Sequence, residues 1–273
     1  MATEAATTQP WHVPEPSPWP IVGTAAALSL AFGLIWFMHA GVPWLVLIGG
    51  ILLAITMVGW FKDVIGEAND GKSHSSAVKT GLRVGFLMFI LSEVMFFFAF
   101  FWAYFHSSLP ILSNVAGPWP PEGIDALGAA GVPMLNTLLL LTSSLTVTVA
   151  HHAILEDERQ KVILWTGITV ILGVLFLGVQ IAEYGHLVFS LSDGIYPSTF
   201  YLATGFHGFH VFVGTVFLIV CYFRARKGHF TRDAHIGFEA AAWYWHFVDV
   251  VWIFLYINVY WWGSLEFGHR LVG

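Results

Sequence analysis

Charged residues are scarce in this chain of 273 residues. Asp, Glu, Lys and Arg together make up 10% of the sequence, whereas hydrophobic residues make up 57% and aromatic residues 16%. Soluble domains carry about 25% charged residues, so this balance excludes an ordinary soluble protein and indicates an integral membrane protein. The stretches between apolar segments show no helix or strand periodicity of their own. We therefore expect one membrane-embedded domain and no separate soluble domain.

Several motifs and residue types that mark other functions are missing. The single cysteine, Cys221, lies in an apolar run, which excludes an intrachain disulfide or a two-cysteine metal centre. No GxxxxGK[ST] loop, GxGxxG turn or GxSxG elbow occurs, so phosphate, dinucleotide and hydrolase chemistry have no motif. No basic patch is interleaved with aromatic residues, so nucleic-acid binding has no support. Catalysis by this chain alone is not expected.

Apolar segments long enough to cross a bilayer are the main feature that is present. A span needs about 20 apolar residues. Segments of this kind lie near residues 20–38, 44–61, 82–105, 134–153, 162–184, 198–223 and 238–262. One helix over residues 20–61 would be roughly 60 Å long, and Gly41-Val42-Pro43 offers a break between two helices. The sequence predicts an all-α membrane protein with seven transmembrane helices, the first two forming a hairpin.

Positive charges predict the orientation of these helices. Ten lysines and arginines fall in or beside the connections after helices 2, 4 and 6: Lys62, Lys72, Lys79, Arg83, Arg159, Lys161, Arg224, Arg226, Lys227 and Arg232. The opposite side holds only Arg270. The positive-inside rule therefore places the N-terminus in the cytoplasm, or in the matrix of a mitochondrion, and the C-terminus outside.

The expected layout follows from the spans and this orientation. Residues 1–19 form a cytoplasmic leader that lacks the basic region and cleavage site of a signal peptide. Helices 1 and 2 occupy residues 20–61, a cytoplasmic loop occupies 62–81, helices 3–7 occupy 82–263, and 264–273 form an external tail.

Glu93 is the most conspicuous ionisable residue within a span. It lies roughly 16 Å from the cytoplasmic edge of the third helix, near the bilayer midplane. Its neighbours one turn away are apolar, so its own helix offers no partner. Three alternatives are open: a histidine or backbone group on another helix, a protonated carboxyl group, or a wet or lipid-headgroup cavity.

Other polar side chains occupy the later spans, where each is a candidate functional residue or interhelical contact. They are Gln180, Glu183, Tyr184, Thr204, His207, His210, Glu239, His246 and Asp249. Glu183 is expected near the outer edge, and His246 and Asp249 near the midplane. The spacing of His207 and His210, and of Glu239, His246 and Asp249, puts each set on one helix face. We expect the two faces to meet as a buried polar network.

Metal ligation by the histidines is not favoured. The strongest candidates are the pairs His207/His210, His151/His152 and His246/Asp249. His151 and His152 end the fourth helix, where the helix dipole favours imidazolium, and Asp249 is better suited to orienting His246. The spaced histidine boxes of membrane di-iron enzymes are missing. No cofactor is expected in this chain.

Longer motifs identify a family. They are "SEVMFF" with Glu93, "WPPEG" at 119–123, "LNT" at 135–137, "AHHA" at 150–153, "ATGFHGFHV" at 203–211 and "GFEAAAWYWHFVDVVW" at 237–252. From "PSPWP" to "YWWGS" the chain closely resembles subunit III of haem-copper cytochrome c oxidase.

The resemblance implies a fold and a set of partners. It implies a seven-helix subunit without haem or copper, docked on the catalytic subunit I, with helices 1 and 2 splayed from helices 3–7 by a cleft filled with phospholipid. Haem and copper would lie in partner subunits, and cytochrome c would supply electrons to the complex, which reduces oxygen to water and pumps protons. A quinol donor is disfavoured, because the quinol-oxidase counterpart is typically shorter and lacks the first helical pair.

The resemblance also implies roles for individual residues. Glu93 matches the family's membrane-buried, carbodiimide-reactive carboxylate in the cleft. Lipid-headgroup contacts map onto Trp60, Glu67, His74 and Arg83, and a second basic cluster maps onto Arg224, Lys227 and His229. Cationic groups at the cytoplasmic edge of the membrane are suited to binding anionic headgroups. The alternative is that these charges only determine the orientation of the helices. Phe61 and Ser75-Ser76 depart from the family's pattern beside the first lipid site.

The resulting hypothesis is a non-redox oxidase subunit that binds phospholipid, supports proton uptake and protects against inactivation during turnover. Its expected location is a bacterial inner membrane, with the mitochondrial inner membrane as the alternative. Two hypotheses from other classes are an ion transporter that uses Glu93, His246 and Asp249 as a relay, and an enzyme with metal-binding histidines. Internal repeats, which would favour a transporter, are not seen.

Overall fold

The computed structural model describes residues 16–70, 73–109, 112, 119–124 and 127–263. Within these residues, seven helices are long and apolar enough to cross a membrane, which confirms the predicted number. They are α1 (Trp19–Ala40), α2 (Trp44–Asn69), α3 (Ser76–Ser108), α4 (Val132–Leu155), α5 (Arg159–Tyr184), α6 (Ile195–Arg226) and α7 (Ile236–Leu255). A π-helix, Tyr256–Trp261, continues directly from α7. The tail 264–273 and residues 1–15 of the leader lie outside the described residues.

The helices extend beyond the apolar segments. α2 ends at Asn69 and α3 begins at Ser76, so the loop predicted over residues 62–81 is largely helical, and that prediction was wrong. Apolar length reports the thickness of the hydrocarbon core, whereas backbone hydrogen bonding continues into the interfacial region, where polar side chains are solvated. The 33 residues of α3 illustrate this, because a helix of that length measures about 50 Å.

The chain folds as two compact units, residues 1–82 and 83–273. In the first unit, α1 ends where Gly41 adopts a left-handed conformation with φ 68° and its N–H bonds the carbonyl of Phe37. Glycine adopts this conformation without the steric cost of a Cβ atom. The chain then turns at Gly41-Val42-Pro43, as the sequence predicts, and α2 begins directly after Pro43.

Small residues bring α1 and α2 into close contact. A Cβ atom on Gly33 would lie 2.6 Å from the backbone nitrogen of Val46. At the other end of the pair, the ring of Trp19 lies against Gly59 and its Nε1 donates a 2.6 Å hydrogen bond to Oδ2 of Asp63. Close backbone approach at glycine is the usual way in which membrane helices gain packing contacts.

In the second unit, α7 packs through two fully buried tryptophans. Trp245 Nε1 donates to Oγ of Ser143 at 2.8 Å, and Trp252 Nε1 donates to Oγ1 of Thr137 at 3.0 Å, so both indoles bond α4. The face of the Trp245 ring also fills the space beside glycines of α5 and α6. These contacts hold α7 against α4, α5 and α6 and position the polar side chains of all four helices.

Candidate functional site: buried carboxyl groups and histidines

Glu93 on α3 contacts a histidine on α6. Its Oε2 lies 2.9 Å from Nε2 of His210, and the two side chains are 23% and 5% exposed. Of the three alternatives that the sequence left open, the structure places a histidine from another helix beside this carboxyl group. The rings of Phe97, Phe206 and Tyr244 surround the imidazole, with centroids 4.8 to 6.3 Å from it.

The hydrogen bonds of His210 determine how many protons this pair carries. Nδ1 lies 2.8 Å from the carbonyl oxygen of Phe206, which can only accept, so Nδ1 carries a hydrogen. A second proton is then needed between Nε2 and Oε2 of Glu93, since two bare acceptors would repel at 2.9 Å. The pair is either imidazolium with carboxylate or imidazole with carboxylic acid. In both forms it holds one exchangeable proton.

His207 has a different environment from His210, although they are three residues apart. Its Nε2 lies 3.1 Å from the carbonyl oxygen of Val248 on α7, and its ring packs on Trp252 with a centroid distance of 5.0 Å. Among the described residues, these hydrogen bonds lead to the α7 backbone and to α3 and not to the side chains of His246 or Asp249, so the meeting of the two polar faces stays a prediction. Positions i and i+3 differ by about 60° around a helix, which is enough to direct His207 to the backbone of α7 and His210 to α3.

Glu239, at the start of α7, pairs with Arg83 of α3. Nε of Arg83 lies 2.9 Å from Oε2 and 3.2 Å from Oε1, and a terminal guanidinium nitrogen lies 2.9 Å from Oε2. Because Glu239 lies in the first turn, the helix dipole also favours its negative charge. Glu239 therefore belongs to an ion pair with Arg83, and its place in one network with His246 and Asp249 stays a prediction.

His246 and Asp249 face α4. The ring nitrogens of His246 lie 3.3 Å from the hydroxyl oxygens of Ser144 and Thr148. Asp249 is buried, and its Oδ1 has no hydrogen-bond partner within the part of the chain that the structure describes. Asp249 and His246 interact electrostatically. The serine and threonine of α4 were not identified as partners from the sequence, because hydroxyl residues in a span carry no periodic signal.

Glu183, in the last turn of α5, belongs to a third polar cluster. Asn136 Nδ2 of α4 donates to Oε1 of Gln180 at 3.1 Å, and Gln180 Nε2 donates to Oε2 of Glu183 at 2.9 Å. Tyr260 of the π-helix donates its hydroxyl to the same Glu183 oxygen at 3.3 Å. All four side chains are buried. The sequence identified Gln180 and Glu183 but not Asn136 or Tyr260.

The second predicted lipid site lies at the end of α6. Arg224 places its guanidinium 4.6 Å from the ring centroid of Phe230, and its Nε has no hydrogen-bond partner among the described residues. Lys227 caps the helix, and the backbone of His229 donates to the carbonyl of Arg224 at 3.0 Å. Partial burial, together with the charges of Arg224 and Lys227, lowers the pKa of His229 below its ordinary value.

The first predicted lipid site consists of Trp60, Glu67, His74 and Arg83. Trp60 is exposed, and Glu67 and His74 are half-buried near the end of α2 and the start of α3. Arg83 makes the ion pair with Glu239. The grouping of these four residues around one headgroup stays a prediction.

No group of three or more His, Cys, Asp and Glu side chains among the described residues is arranged to hold a metal ion. His207, His210 and His246 each contact protein oxygen atoms through ring nitrogens, as described above.

Comparisons with known proteins agree with this architecture. The family model described as Cytochrome c oxidase subunit III matches residues 9–264. Similar relatives include cytochrome c oxidase subunit 3 of Branchiostoma lanceolatum, 52% identical over 255 residues, which covers 93% of this chain and 97% of the relative. Those of Arabidopsis thaliana and Danio rerio are each 51% identical, over 257 and 255 residues, with the same coverage. The chain belongs to the cytochrome c oxidase subunit III family.

Proposed function

We propose that this chain is a non-redox subunit of a proton-pumping cytochrome c oxidase, in which it binds phospholipid, supports proton uptake and protects the complex during turnover. It docks on subunit I, which holds haem and copper with the other partner subunits, and cytochrome c donates electrons to the complex. The membrane is a bacterial inner membrane, with the N-terminus in the cytoplasm and the C-terminus in the periplasm. Family membership already makes the chain part of an oxidoreductase complex in a membrane.

The observation that carries the proton role is the contact between Glu93 and His210. The pair holds one exchangeable proton, as the hydrogen bonds of His210 require. The side chain of Glu93 is 23% exposed, which leaves an approach for a proton donor or a lipid headgroup from outside the helices. A buried carboxylate that served only to hold two helices together would not need to be exposed.

Two features support phospholipid binding. Only 11% of the apolar window of α1, and 11% of that of α2, is buried within the protein, so most of their surface must contact lipid or another subunit. At the end of α6, Arg224 and Lys227 present two cations at the helix C-terminus. Cations at the cytoplasmic edge attract anionic headgroups, each contributing about 1 kcal/mol near a charged surface.

The partners of the buried histidines support a non-redox role. His207 and His210 direct ring nitrogens to backbone carbonyls, and His246 lies between two hydroxyl groups. Nδ1 of His207 has no hydrogen-bond partner among the described residues, but no group of three or more possible ligand side chains there is arranged to hold a metal ion. We assign electron transfer to the partner subunits.

The proposal is tested by purifying the complex through an affinity tag on this chain. We expect haem and copper to co-elute with the tagged chain in the intact complex, and iron and copper to disappear when all partner subunits are removed. Stoichiometric iron or copper bound to the isolated chain would overturn the non-redox assignment.

The supporting role needs a measurement during turnover. In the purified complex, Glu93→Gln should leave the haem spectrum unchanged, slow proton uptake and shorten the active lifetime. Ser92→Ala is the matched control, because Ser92 is the adjacent residue of α3 and its hydroxyl bonds only the carbonyl of Phe89. Equal behaviour of Glu93→Gln, Ser92→Ala and wild type would refute the proton role.

A further inference from the structure

Glu183 is buried and differs from the half-buried Glu93 and Glu239 in having no basic partner among the described residues. Glu93 contacts His210 and Glu239 contacts Arg83, whereas no ion pair to Glu183 occurs among the described residues. We propose that Glu183 is a second proton-binding site of this chain, held as a neutral carboxylic acid. This site is separate from Glu93 and does not depend on the role proposed for that residue.

Among the residues that the structure describes, no positively charged group faces Glu183. The titratable groups that face its carboxyl group are the phenols of Tyr184 on α5 and Tyr260 on the π-helix, which are uncharged at ordinary pH. α4 contributes the neutral amide of Asn136, through Gln180. His186 follows one turn later on the exposed surface. Only 3% of Glu183 is exposed, so water does not compensate a charge either.

The two carboxyl oxygens have different partners. Oε2 accepts from both Gln180 and Tyr260, whereas Oε1 has no hydrogen-bond partner among the described residues. This asymmetry is that of a carboxylic acid, in which Oε2 is the carbonyl oxygen and Oε1 the hydroxyl. A carboxylate would leave a charged oxygen buried and unpaired, which costs far more than an unpaired neutral hydroxyl.

The distances agree with a neutral acid. A phenol that donates to an ionised carboxylate approaches to about 2.5–2.7 Å. The hydroxyl of Tyr260 lies 3.3 Å from Oε2 of Glu183, and the amide of Gln180 lies 2.9 Å from it. The phenol contact is longer than a charge-assisted bond would be, and the amide contact has the ordinary length of an N–H···O hydrogen bond.

The bound proton has a structural consequence. The neutral acid connects α5 to the π-helix through Tyr260, and Gln180 connects the same acid to α4. Loss of the proton would place an unpaired charge where these three elements meet, which would drive them apart to admit water. The proton therefore acts as the ligand that keeps this cluster closed.

Infrared difference spectroscopy of the purified, intact complex tests this assignment. In the spectrum of wild type minus Glu183→Gln we expect loss of the carbonyl stretch of one protonated carboxylic acid. The matched control is Glu239→Gln, where the ion pair with Arg83 predicts loss of the two carboxylate bands instead. Loss of carboxylate bands in Glu183→Gln would overturn the proposal. A carbonyl band of Glu183 that depends on sodium in the buffer would overturn it as well.

Tyr260→Phe is a second variant that keeps the carboxyl group. Removal of the phenol donor should shift the Glu183 carbonyl band to higher frequency, because that oxygen loses a hydrogen bond. An unchanged band would contradict the assignment of Oε2 as the carbonyl oxygen.

The pH dependence of stability separates proton binding from a purely structural role. Glutamate in an unfolded chain ionises near pH 4.3, so folding takes up a proton at Glu183 above that pH. The folded state then binds more protons than the unfolded state, and its stability falls as pH rises. The melting temperature of wild type should fall relative to that of Glu183→Gln as the pH is raised, and parallel curves would refute the proposal.

Discussion

The guanidinium of Arg83 contacts the carboxylate of Glu239 through two of its nitrogens. This ion pair joins α3 and α7 at the ends that are predicted to be cytoplasmic. Paired geometry of this kind fixes orientation as well as charge. Arg83 is 42% exposed and Glu239 15% exposed, so water screens the arginine more than the glutamate.

Arg83→Ala should lower the stability of the complex. It leaves the largely buried carboxylate of Glu239 without its cation, at a cost of about 1–2 kcal/mol after allowance for exposure of the arginine. The measurement is the melting temperature of the purified complex. Arg83→Lys is the control and should retain part of the stability, because lysine keeps the charge but not the paired geometry.

The double variant Arg83→Ala/Glu239→Gln identifies the source of this effect. Removal of the orphaned charge should restore much of the stability lost in Arg83→Ala. Simple addition of the two single effects would show that the pair is not coupled.

Glu93→Gln should abolish carbodiimide labelling of the chain and leave assembly largely intact. Carbodiimides react with protonated carboxyl groups, and the form of the pair with neutral imidazole and carboxylic acid provides one at this position. Glutamine has nearly the same shape and can still donate to the imidazole or accept from it. Mass spectrometry of the labelled chain checks the first expectation. Failure of the complex to assemble would indicate that the role of Glu93 is a structural contact between helices.

Gly33→Ala should separate α1 from α2. The added Cβ atom would lie 2.6 Å from the backbone nitrogen of Val46, and backbone cannot move aside as a side chain can. We expect destabilisation by about 1–3 kcal/mol and lower lipid retention in native mass spectrometry of the complex. Gly50→Ala is the control, because nothing lies within 4 Å of its added Cβ atom. Equal effects of the two substitutions would contradict close packing at Gly33.

Retention of anionic lipid at the end of α6 should depend on pH. Because the pKa of His229 is lowered, the imidazole gains its charge only below its ordinary pKa of about 6.5 and then joins Arg224 and Lys227. Bound phosphatidylglycerol, counted by native mass spectrometry, should therefore increase as pH falls through that range. His229→Ala should remove the increase, and Arg224→Gln should lower retention at every pH. If the amount of phosphatidylglycerol bound to wild type did not change with pH, the role of His229 in lipid retention would be refuted.

The sequence predicted the helices well because each apolar segment matches the thickness of a bilayer. It also identified Glu93, His210 and Glu239 as residues that need partners. It did not predict which partners they have, because Arg83 and Glu239 are 156 positions apart and their contact depends on how α3 packs against α7. Burial of Ser144 and Thr148 beside His246 is likewise a property of helix rotation, which a uniformly apolar segment does not specify.

Side-chain direction was the other property that spacing alone could not provide. His207 and His210 occupy the same general face of α6, yet one bonds the backbone of α7 and the other a carboxyl group of α3. The interfaces of α6 with α7 and with α3 meet between these two positions. A rule based on helical periodicity groups such residues, and only the packed neighbours separate them.

In the π-helix Tyr256–Trp261, the number of residues matters more than their identity, because it sets the direction of the side chains that follow. Each residue of an ordinary helix turns by about 100°, so deletion of one residue here would rotate everything after it by that angle. Tyr260 would turn away from Glu183. The carbonyl of Asn258 would no longer accept the hydrogen bond that the hydroxyl of Tyr104 donates. Substitutions in this segment can be absorbed one side chain at a time, whereas a single-residue gap would break both contacts at once.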